Sequence, residues 1–310
     1  MSPTRVPVTV VVLTFNEARN LEACLASVAG WAAAVVVVDS GSTDGTVELA
    51  RRHGAHVIVH PFESHARQWR WALNEVDRLG SAPAWTLGLD ADQRVTPPLQ
   101  QSIAAAIAQD AVAPEVDGFF VNRRQIFRGR WIRYGGYYPK YLLKLFRRDR
   151  VALDPGELVD HHFIVPGATR LLAGDLIEDN RNEDDVGVWI AKHHRYAARQ
   201  AEQEFRERAG AASARPARPT GDPDARVRWQ KRQWRRLPLF VRPAVYFFYR
   251  YILRLGFLDG RQGFVFHATQ AFWYRLLVDV HLDRLRRDHA PARDGGRALD
   301  RARVDQEARS

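Results

Sequence analysis

Val35-Val36-Val37-Val38-Asp39-Ser40-Gly41-Ser42-Thr43-Asp44-Gly45-Thr46 is a β-branched run, an acidic tip, a glycine turn and the start of a helix. Branched side chains lose little freedom in extended backbone, so the four valines predict a strand. Ser42, Thr43 or Asp44 can cap a helix over Thr46–Arg52 by accepting a bond from one of its first free N–H groups. An ordinary strand–turn–helix connection explains Ser42 to Gly45. It explains Asp39 less well, because packing gives no evident reason for an acid directly after four valines. A carboxylate at a strand tip can accept hydrogen bonds from a ribose or a base.

The same alternation extends on both sides. Thr9–Leu13 reads as a strand and Glu17–Val28 as a helix. Val57–His60 is a third strand, Ala66–Val76 a helix, Trp85–Leu89 a fourth strand. Pro97–Gln109 is helical, with both prolines in the first turn, where no N–H is missed. Alternation at this spacing predicts an α/β fold, a Rossmann-like, mainly parallel sheet flanked by helices on both faces. Such sheets bind ligands at the carboxyl ends of their strands. Three polar clusters fall there: Thr14–Glu17, Asp39–Asp44 and Asp90–Asp92. Further short strands are expected at Gly118–Asn122, Leu142–Phe146 and Phe163–Val165, and a helix at Asp185–Arg208. The α/β domain thus spans residues 1–208. Residues 209–226 are rich in Ala, Pro and Arg and read as a linker. Residues 227–287 form an aromatic-rich helical region, and the polar tail 288–310 is expected to be disordered.

With 310 residues, 46% of them hydrophobic, the chain can bury a substantial core. The single cysteine, Cys24, excludes an internal disulfide and sits in a helical pattern with Leu21, Leu25 and Val28. Met1–Pro7 has no apolar leader core, and no apolar run reaches the length of a spanning helix. The net charge is +10. Nine basic residues and no acid lie between Ala225 and Leu258, which points to an anionic membrane or a nucleic acid as partner.

Asp90 and Asp92 flank one small residue at the end of a strand, so alternation puts both carboxylates on one side. Two hard oxygen ligands suit Mg²⁺ or Mn²⁺, and such an ion can hold a diphosphate and neutralise the charge that develops as it leaves. A lone Asp-x-Asp is a weak signal, since exposed turn aspartates produce it by chance.

Three motifs together are more specific. Leu13-Thr14-Phe15-Asn16-Glu17 with Asn20-Leu21, then Val38-Asp39-Ser40-Gly41-Ser42-Thr43-Asp44-Gly45-Thr46, then Leu89-Asp90-Ala91-Asp92 resemble the family 2 inverting glycosyltransferases of GT-A fold. Phe127–Phe146, Trp189–Ala197 and Leu255–Gly263 resemble the branch containing lipopolysaccharide core glucosyltransferases. The resemblance implies a nucleotide diphosphate sugar donor, a UDP-sugar by analogy, and a lipid-linked glycan acceptor. It implies that Thr14, Asn16 and Glu17 border the nucleotide and that Asp39 meets its base or ribose, with Ser42 and Gln68 in the same set. Asp90 would lie near ribose and metal, and Asp92 would be the principal metal ligand, with Mn²⁺ or Mg²⁺ as cofactor. Gln93 stands where the branch usually has Glu, which removes a third acid. An inverting transfer to a hydroxyl needs a base. Asp160 is the first candidate, Glu157 the second and Asp184 the third. Lys192 and Arg195 are candidates for the diphosphate. His161, His162, His193 and His194 lack metal-ligand spacing and read as surface or supporting residues.

Over Leu239–Leu255, Arg242, Arg250 and Arg254 fall within about a third of a helix circumference beside an aromatic face. A second helix, Phe264–Leu285, is rich in Phe, Trp, Tyr and Leu. Arg226–Leu285 is therefore expected to lie on an anionic membrane surface, making the protein cytoplasmic and peripheral on the inner face. The competing expectation is a helical hairpin packed on the α/β domain. Two other functions stay open from the residues alone. Transfer to a polyprenyl phosphate would need no base, because that oxygen is already ionised. Nucleic-acid binding through the Arg/Trp stretch has no recognised module behind it, and no nucleic acid is expected as partner. A dinucleotide oxidoreductase is disfavoured, since Thr14-Phe15-Asn16-Glu17 replaces the glycine turn that such a fold needs.

Overall fold

The computed structural model describes residues 5–80, 83–112, 115–154, 162–210 and 217–289. The first part follows the expected alternation: β1 (Val6–Thr14), α1 (Ala18–Ala26), β2 (Ala32–Asp39), α2 (Thr46–Arg52), β3 (His56–Val59), α3 (His65–Arg78) and β4 (Trp85–Asp90). After β5 (Gln93–Val95) and α4 (Pro97–Val112) come six strands without an intervening helix among the described residues. They are β6 (Gly118–Phe127), β7 (Arg130–Ile132), β8 (Tyr141–Arg147), β9 (Ala152–Leu153), β10 (Phe163–Ile164) and β11 (Thr169–Glu178).

The main sheet has the order β3-β2-β1-β4-β8-β6-β11-β5, with β7 paired to β6. Its first four strands are parallel. The expectation of a mainly parallel sheet fails beyond them. β8 runs antiparallel to both β4 and β6, β11 is parallel to β6, and β5 is antiparallel to β11. A parallel pair needs a long crossover, usually a helix, and none separates β6, β7 and β8. The result is a mixed α/β sheet flanked by helices, consistent with the GT-A fold.

Strand alternation decides which helix each face meets. Val8, Val10 and Val12 point to Leu21, Cys24 and Leu25 of α1 and to Leu99 and Ile103 of α4. Val11, Val36 and Val38 point the other way, to Trp69, Ala72 and Val76 of α3. Gly88 of β4 permits this second layer, because a Cβ there would lie 2.9 Å from the Phe163 ring and 3.1 Å from Trp69.

The C-terminal part is helical: α5 (Val186–Arg208), α6 (Pro223–Trp234), α7 (Arg242–Phe248) continued by a π-helical turn to Leu253, α8 (Gly260–His267), and α9 (Tyr274–Asp288) reached through another π-helical turn. The first turn of α6 falls inside the stretch read as a linker, with Asp222 as its cap. α9 lies on α5, where Ala197 and Ala201 let Tyr274, Val278 and Leu282 approach closely. Arg242 is buried against Asp279 and Glu204, with nitrogen–oxygen distances of 2.5 and 2.7 Å. Asp259 accepts the backbone N–H groups of Arg133 and Tyr134 at 3.1 and 2.9 Å. Gly135 has φ +68°, and a Cβ there would overlap the buried His267 ring. These contacts correct the reading of a lipid-facing arginine stripe for two of its three members, Arg254 being exposed. Arg242 is consumed by two carboxylates, and Arg250 donates to the Gly135 carbonyl at 2.7 Å. Among the described residues no helix is long and apolar enough to cross a membrane.

Candidate active site

Register alone brings the three polar clusters together. Thr14 pairs with Asp39 and Leu13 with Asp90, so the ends of β1, β2 and β4 stand side by side. The two loops above them are laced to each other. Asn16, at φ 55°, donates its N–H to Ser42 Oγ at 2.8 Å and accepts the Thr43 N–H at 2.9 Å. Asparagine tolerates this left-handed backbone better than most residues. The Glu17 N–H donates to Thr46 Oγ1 at 2.9 Å.

Asp39 has a local role that the sequence did not reveal. It is fully buried and accepts from Thr14 Oγ1 at 2.9 Å, from the Gly41 and Ser42 N–H groups at 2.9 and 2.7 Å, and from Ser42 Oγ at 2.5 Å. It thereby fixes the turn after β2, which accounts for an acid behind four valines. Gln68 is also buried. It donates to Ser40 Oγ and the His60 carbonyl, so it braces the same turn from α3.

The acids gather at the end of β4. Asp90 Oδ2 accepts from Lys144 Nζ at 2.9 Å, and the Asp90 N–H donates to Gln93 Oε1. Gln93 in turn donates to Glu178 at 2.9 Å. The Asp92 carbonyl accepts the Asp179 N–H, which ties the motif to the end of β11. Burial, and then the carboxylates of Glu178, Asp90 and Glu17, push the Asp92 carboxyl well above its ordinary range, with Lys192 opposing. Glu17 is raised as well, first by burial, against the hydrogen bond from Asn20. Mutually repelling carboxylates at strand ends are an environment that a divalent cation relieves. Among the described residues no group of three or more His, Cys, Asp or Glu side chains could hold a metal ion by itself. Mg²⁺ and Mn²⁺ sites that use one or two carboxylates and substrate phosphates do not need such a cage. Asp90 and Asp92 therefore fit the cation by donor chemistry.

The segment before α5 closes the other side. Asn20 donates to Glu17 at 2.7 Å and to Asn180 at 3.0 Å, and Asn182 donates to Glu17 at 3.1 Å. Lys192 reaches this cluster through Glu183 at 2.6 Å. Burial disfavours its charge, but Glu183, Tyr196 and Asp92 together more than offset this and hold the ammonium above its ordinary range. Arg195 and Asp184 are exposed. Glu157, Asp160 and His161 lie outside the described residues. His193 is no surface residue: it is buried, stacked on Trp189 at 3.8 Å and hydrogen-bonded to Gln270.

Sequence reasoning missed Lys144, Glu178 and the Asn180–Asn182 turn. Lys144 is one basic residue in an apolar strand and is 4% exposed. That substitution of a charge into a buried run was the available signal. Glu178 follows Leu176 and Ile177 at the end of β11, a strand hidden by Gly174 in its middle.

A cluster of carboxylates at the ends of β1, β4 and β11, with two lysines beside it, has the donor chemistry that a divalent cation requires. Residues 9–165 match the family Glycosyl transferase family 2. The chain belongs to that family. It is 28% identical over 172 residues to the lipopolysaccharide core biosynthesis glycosyltransferase LpsC of Rhizobium meliloti (strain 1021), covering 52% of this chain and 58% of LpsC. It is 37% identical over 92 residues to an uncharacterized glycosyltransferase of Rickettsia bellii (strain RML369-C), covering 30% of each. The chain thus spans less than two thirds of these curated relatives. Among solved structures, mannosyl-3-phosphoglycerate synthase from Rubrobacter xylanophilus is 16% identical with a TM-score of 0.42, covering 71% of this chain and 79% of that one.

Proposed function

We propose that the protein transfers a glycosyl group, with inversion, from a nucleotide diphosphate sugar (a UDP-sugar) to a hydroxyl of a lipid-linked glycan such as a lipopolysaccharide core. The observation that carries this reading is the convergence of Asp90, Asp92, Glu178 and Glu17 at the ends of β1, β4 and β11, with Lys144 and Lys192 as counter-charges. Family membership supplies the reaction class, and the likeness to LpsC supports the acceptor class. Thr14, Asn16, Glu17, Asp39 and Ser42 form the rim against which the nucleotide sits. Their mutual hydrogen bonds make that rim rigid before the donor arrives, which lowers the entropy lost on binding. Asp92 and Asp90 would hold Mn²⁺ or Mg²⁺, which supplies charge neutralisation for the departing diphosphate. Lys192 and Arg195 add positive charge from α5. Asp160 is the first choice for the base that takes the acceptor proton, ahead of Glu157 and Asp184.

Acceptors of this class are anchored in a membrane, and the C-terminal helices support attachment to one, as a peripheral protein on the inner face. Phe240, Val241, Phe248, Leu253, Leu255 and Leu258 are all more than 45% exposed. Between Arg226 and Val278 the one acid is Asp259, itself buried. The solvent-facing surface of this stretch is thus apolar and basic, as an anionic leaflet requires.

The test is thermal stabilisation of the full chain by nucleotide diphosphate sugars with and without Mn²⁺, since a true donor raises the melting temperature by mass action. Asp92→Asn should abolish transfer and the Mn²⁺-dependent part of the shift. Equal stabilisation of both proteins, with transfer intact, would remove Asp92 from the cation site.

A further inference from the structure

Away from the acid cluster, the C-terminal helices enclose a cavity of about 80 Å³ lined by Gln200, Lys231, Trp234, Arg242, Tyr246 and Arg275, with Glu204, Arg235, Val278 and Asp279 completing its wall. A single water needs roughly 10–15 Å³ on such a measure, so there is room for a group of several heavy atoms. The charges around it do not balance. Glu204 is satisfied by Arg208 and Arg242, Asp279 by Arg242, and Glu207 by Arg235. Lys231 and Arg275 are left over: neither has a carboxylate at ion-pair distance among the described residues. Arg275 instead lies over the rings of Tyr246 and Tyr274, at 5.5 and 5.3 Å. Arg250 also lies over the Tyr246 ring, at 4.9 Å. The surplus is felt at the Tyr246 phenol. Burial raises it, but Arg250, Arg275 and Lys231 together hold it below its ordinary range.

We propose that this cavity binds a phosphate group, with Lys231 and Arg275 as the cations that receive it and the Trp234 and Tyr246 rings as its apolar wall. Guanidinium and ammonium groups with no carboxylate partner are the usual donors to phosphate oxygens. The rings, 5.3 Å apart and edge to face, suit a phosphate joined to an apolar body better than a free ion. The same helix that lines the cavity with Arg242 and Tyr246 exposes Val241, Val245 and Phe248 on another face. A phosphate ester of a lipid meets both surfaces at once. This site is distinct from the acid cluster and does not depend on the transferase reading.

The experiment uses the full chain and three probes: inorganic phosphate, a short-chain phosphatidic acid below its micelle concentration, and phosphatidylcholine vesicles with or without phosphatidylglycerol. The expected result is saturable binding of the short-chain lipid that falls at least tenfold in Lys231→Gln/Arg275→Gln and is kept in Arg261→Gln, a cation outside the cavity. Phosphate bound as tightly as the lipid, and lost in the same double variant, would support the site and assign it to the free ion. Binding to phosphatidylglycerol vesicles that falls in the double variant would support a bilayer headgroup as the source. Lys231 is exposed and has no ion pair among the described residues, so Lys231→Gln alone gives a folded protein with a smaller loss if the double variant does not fold. No binding of any probe, or equal binding by wild type and Lys231→Gln, overturns the proposal. Donor-induced stabilisation, measured alongside, reports on the transferase site separately.

Discussion

Replacing Arg242 with Met tests whether the C-terminal helices are part of the fold. Arg242 is 8% exposed and bridges Glu204, 3% exposed at its side chain, and Asp279, fully buried. Removing one member of a buried ion pair costs about 3–5 kcal/mol, because the remaining charge is left without compensation. The two acids differ in what they keep. Glu204 retains Arg208 at 2.7 Å and Arg235 at 3.8 Å. Among the described residues Asp279 keeps the Phe240 N–H, at 2.7 Å. One orphaned carboxylate rather than two places the expected loss at the lower end, about 3 kcal/mol. Urea denaturation followed by tryptophan fluorescence and by far-ultraviolet circular dichroism measures it, provided both probes report one transition. Adding Asp279→Asn removes the stranded charge and should return a substantial part of the loss. A cost below about 1 kcal/mol, the ordinary range for an exposed pair, would refute the packing of α7 against α5 and α9. It would also return Arg242 to a lipid-facing role.

Three further perturbations address the site and the fold around it. Lys144→Met takes the buried ammonium from Asp90 and should tighten divalent-ion binding in the presence of nucleotide by about tenfold, or about 1.4 kcal/mol. Lys144→Arg should restore the wild-type value, and an unchanged affinity in the Met variant would deny Lys144 any influence on the cation. His267 is held neutral, at about 4 rather than 6.5, first by burial and then by Arg250, and neither ring nitrogen has a hydrogen-bond partner among the described residues. Its folded-state value is depressed, so its contribution is full above about pH 6.5 and is lost as the pH falls toward 4, by about 3 kcal/mol in all. The slope of stability against pH over that window should flatten in His267→Gln, and an unaltered slope would place the acid sensitivity elsewhere. Asp160→Asn should lower kcat far more than it raises the donor KM. Near-normal turnover would pass the role to Glu157 or Asp184, or favour an acceptor whose oxygen is already ionised.

The parallel half of the sheet was legible because each of its strands is followed by a helix, and that alternation has few solutions. α2 has its expected bounds, and β1 to β4 lie where the valine and leucine runs put them. The second half was not. β11 is ten residues long but carries Gly174 at φ +85°, where a Cβ would lie 2.5 Å from the Leu99 backbone. Local propensity reads that glycine as a break, whereas the fold uses it to let α4 approach. Asp39, Asp90 and Asp92 were found as unsupported acids at strand tips. Lys144 and Glu178 were not, because each becomes interesting only when β8 is laid beside β4 and Gln93 brings the end of β11 to the same place. The arginines of α7 misled for the complementary reason. Helical spacing showed that they share a face, but only the position of Glu204 and Asp279 shows that the face turns inward.

The buried residues of α5 are Trp189, His193, Ala197, Ala201 and Glu204, a single stripe down its length. At about 1.5 Å per residue, Lys192 at the acid cluster and Glu204 at the ion pair are some 18 Å apart on one continuous helix. After Trp189 the stripe meets the C-terminal helices: Gln270 contacts His193, Tyr274 donates to Gln200 at 2.6 Å, Val278 and Leu282 lie on the alanines, and Arg242 pairs with Glu204. Without them α5 would present its apolar stripe to water, and the helix that carries Lys192 would lose its packing on that side. The helices with the apolar, basic outer surface are therefore the inner scaffold of the catalytic domain as well. The acid cluster and the C-terminal ion pair are thereby held at a fixed separation, because the same helix carries Lys192 and Glu204.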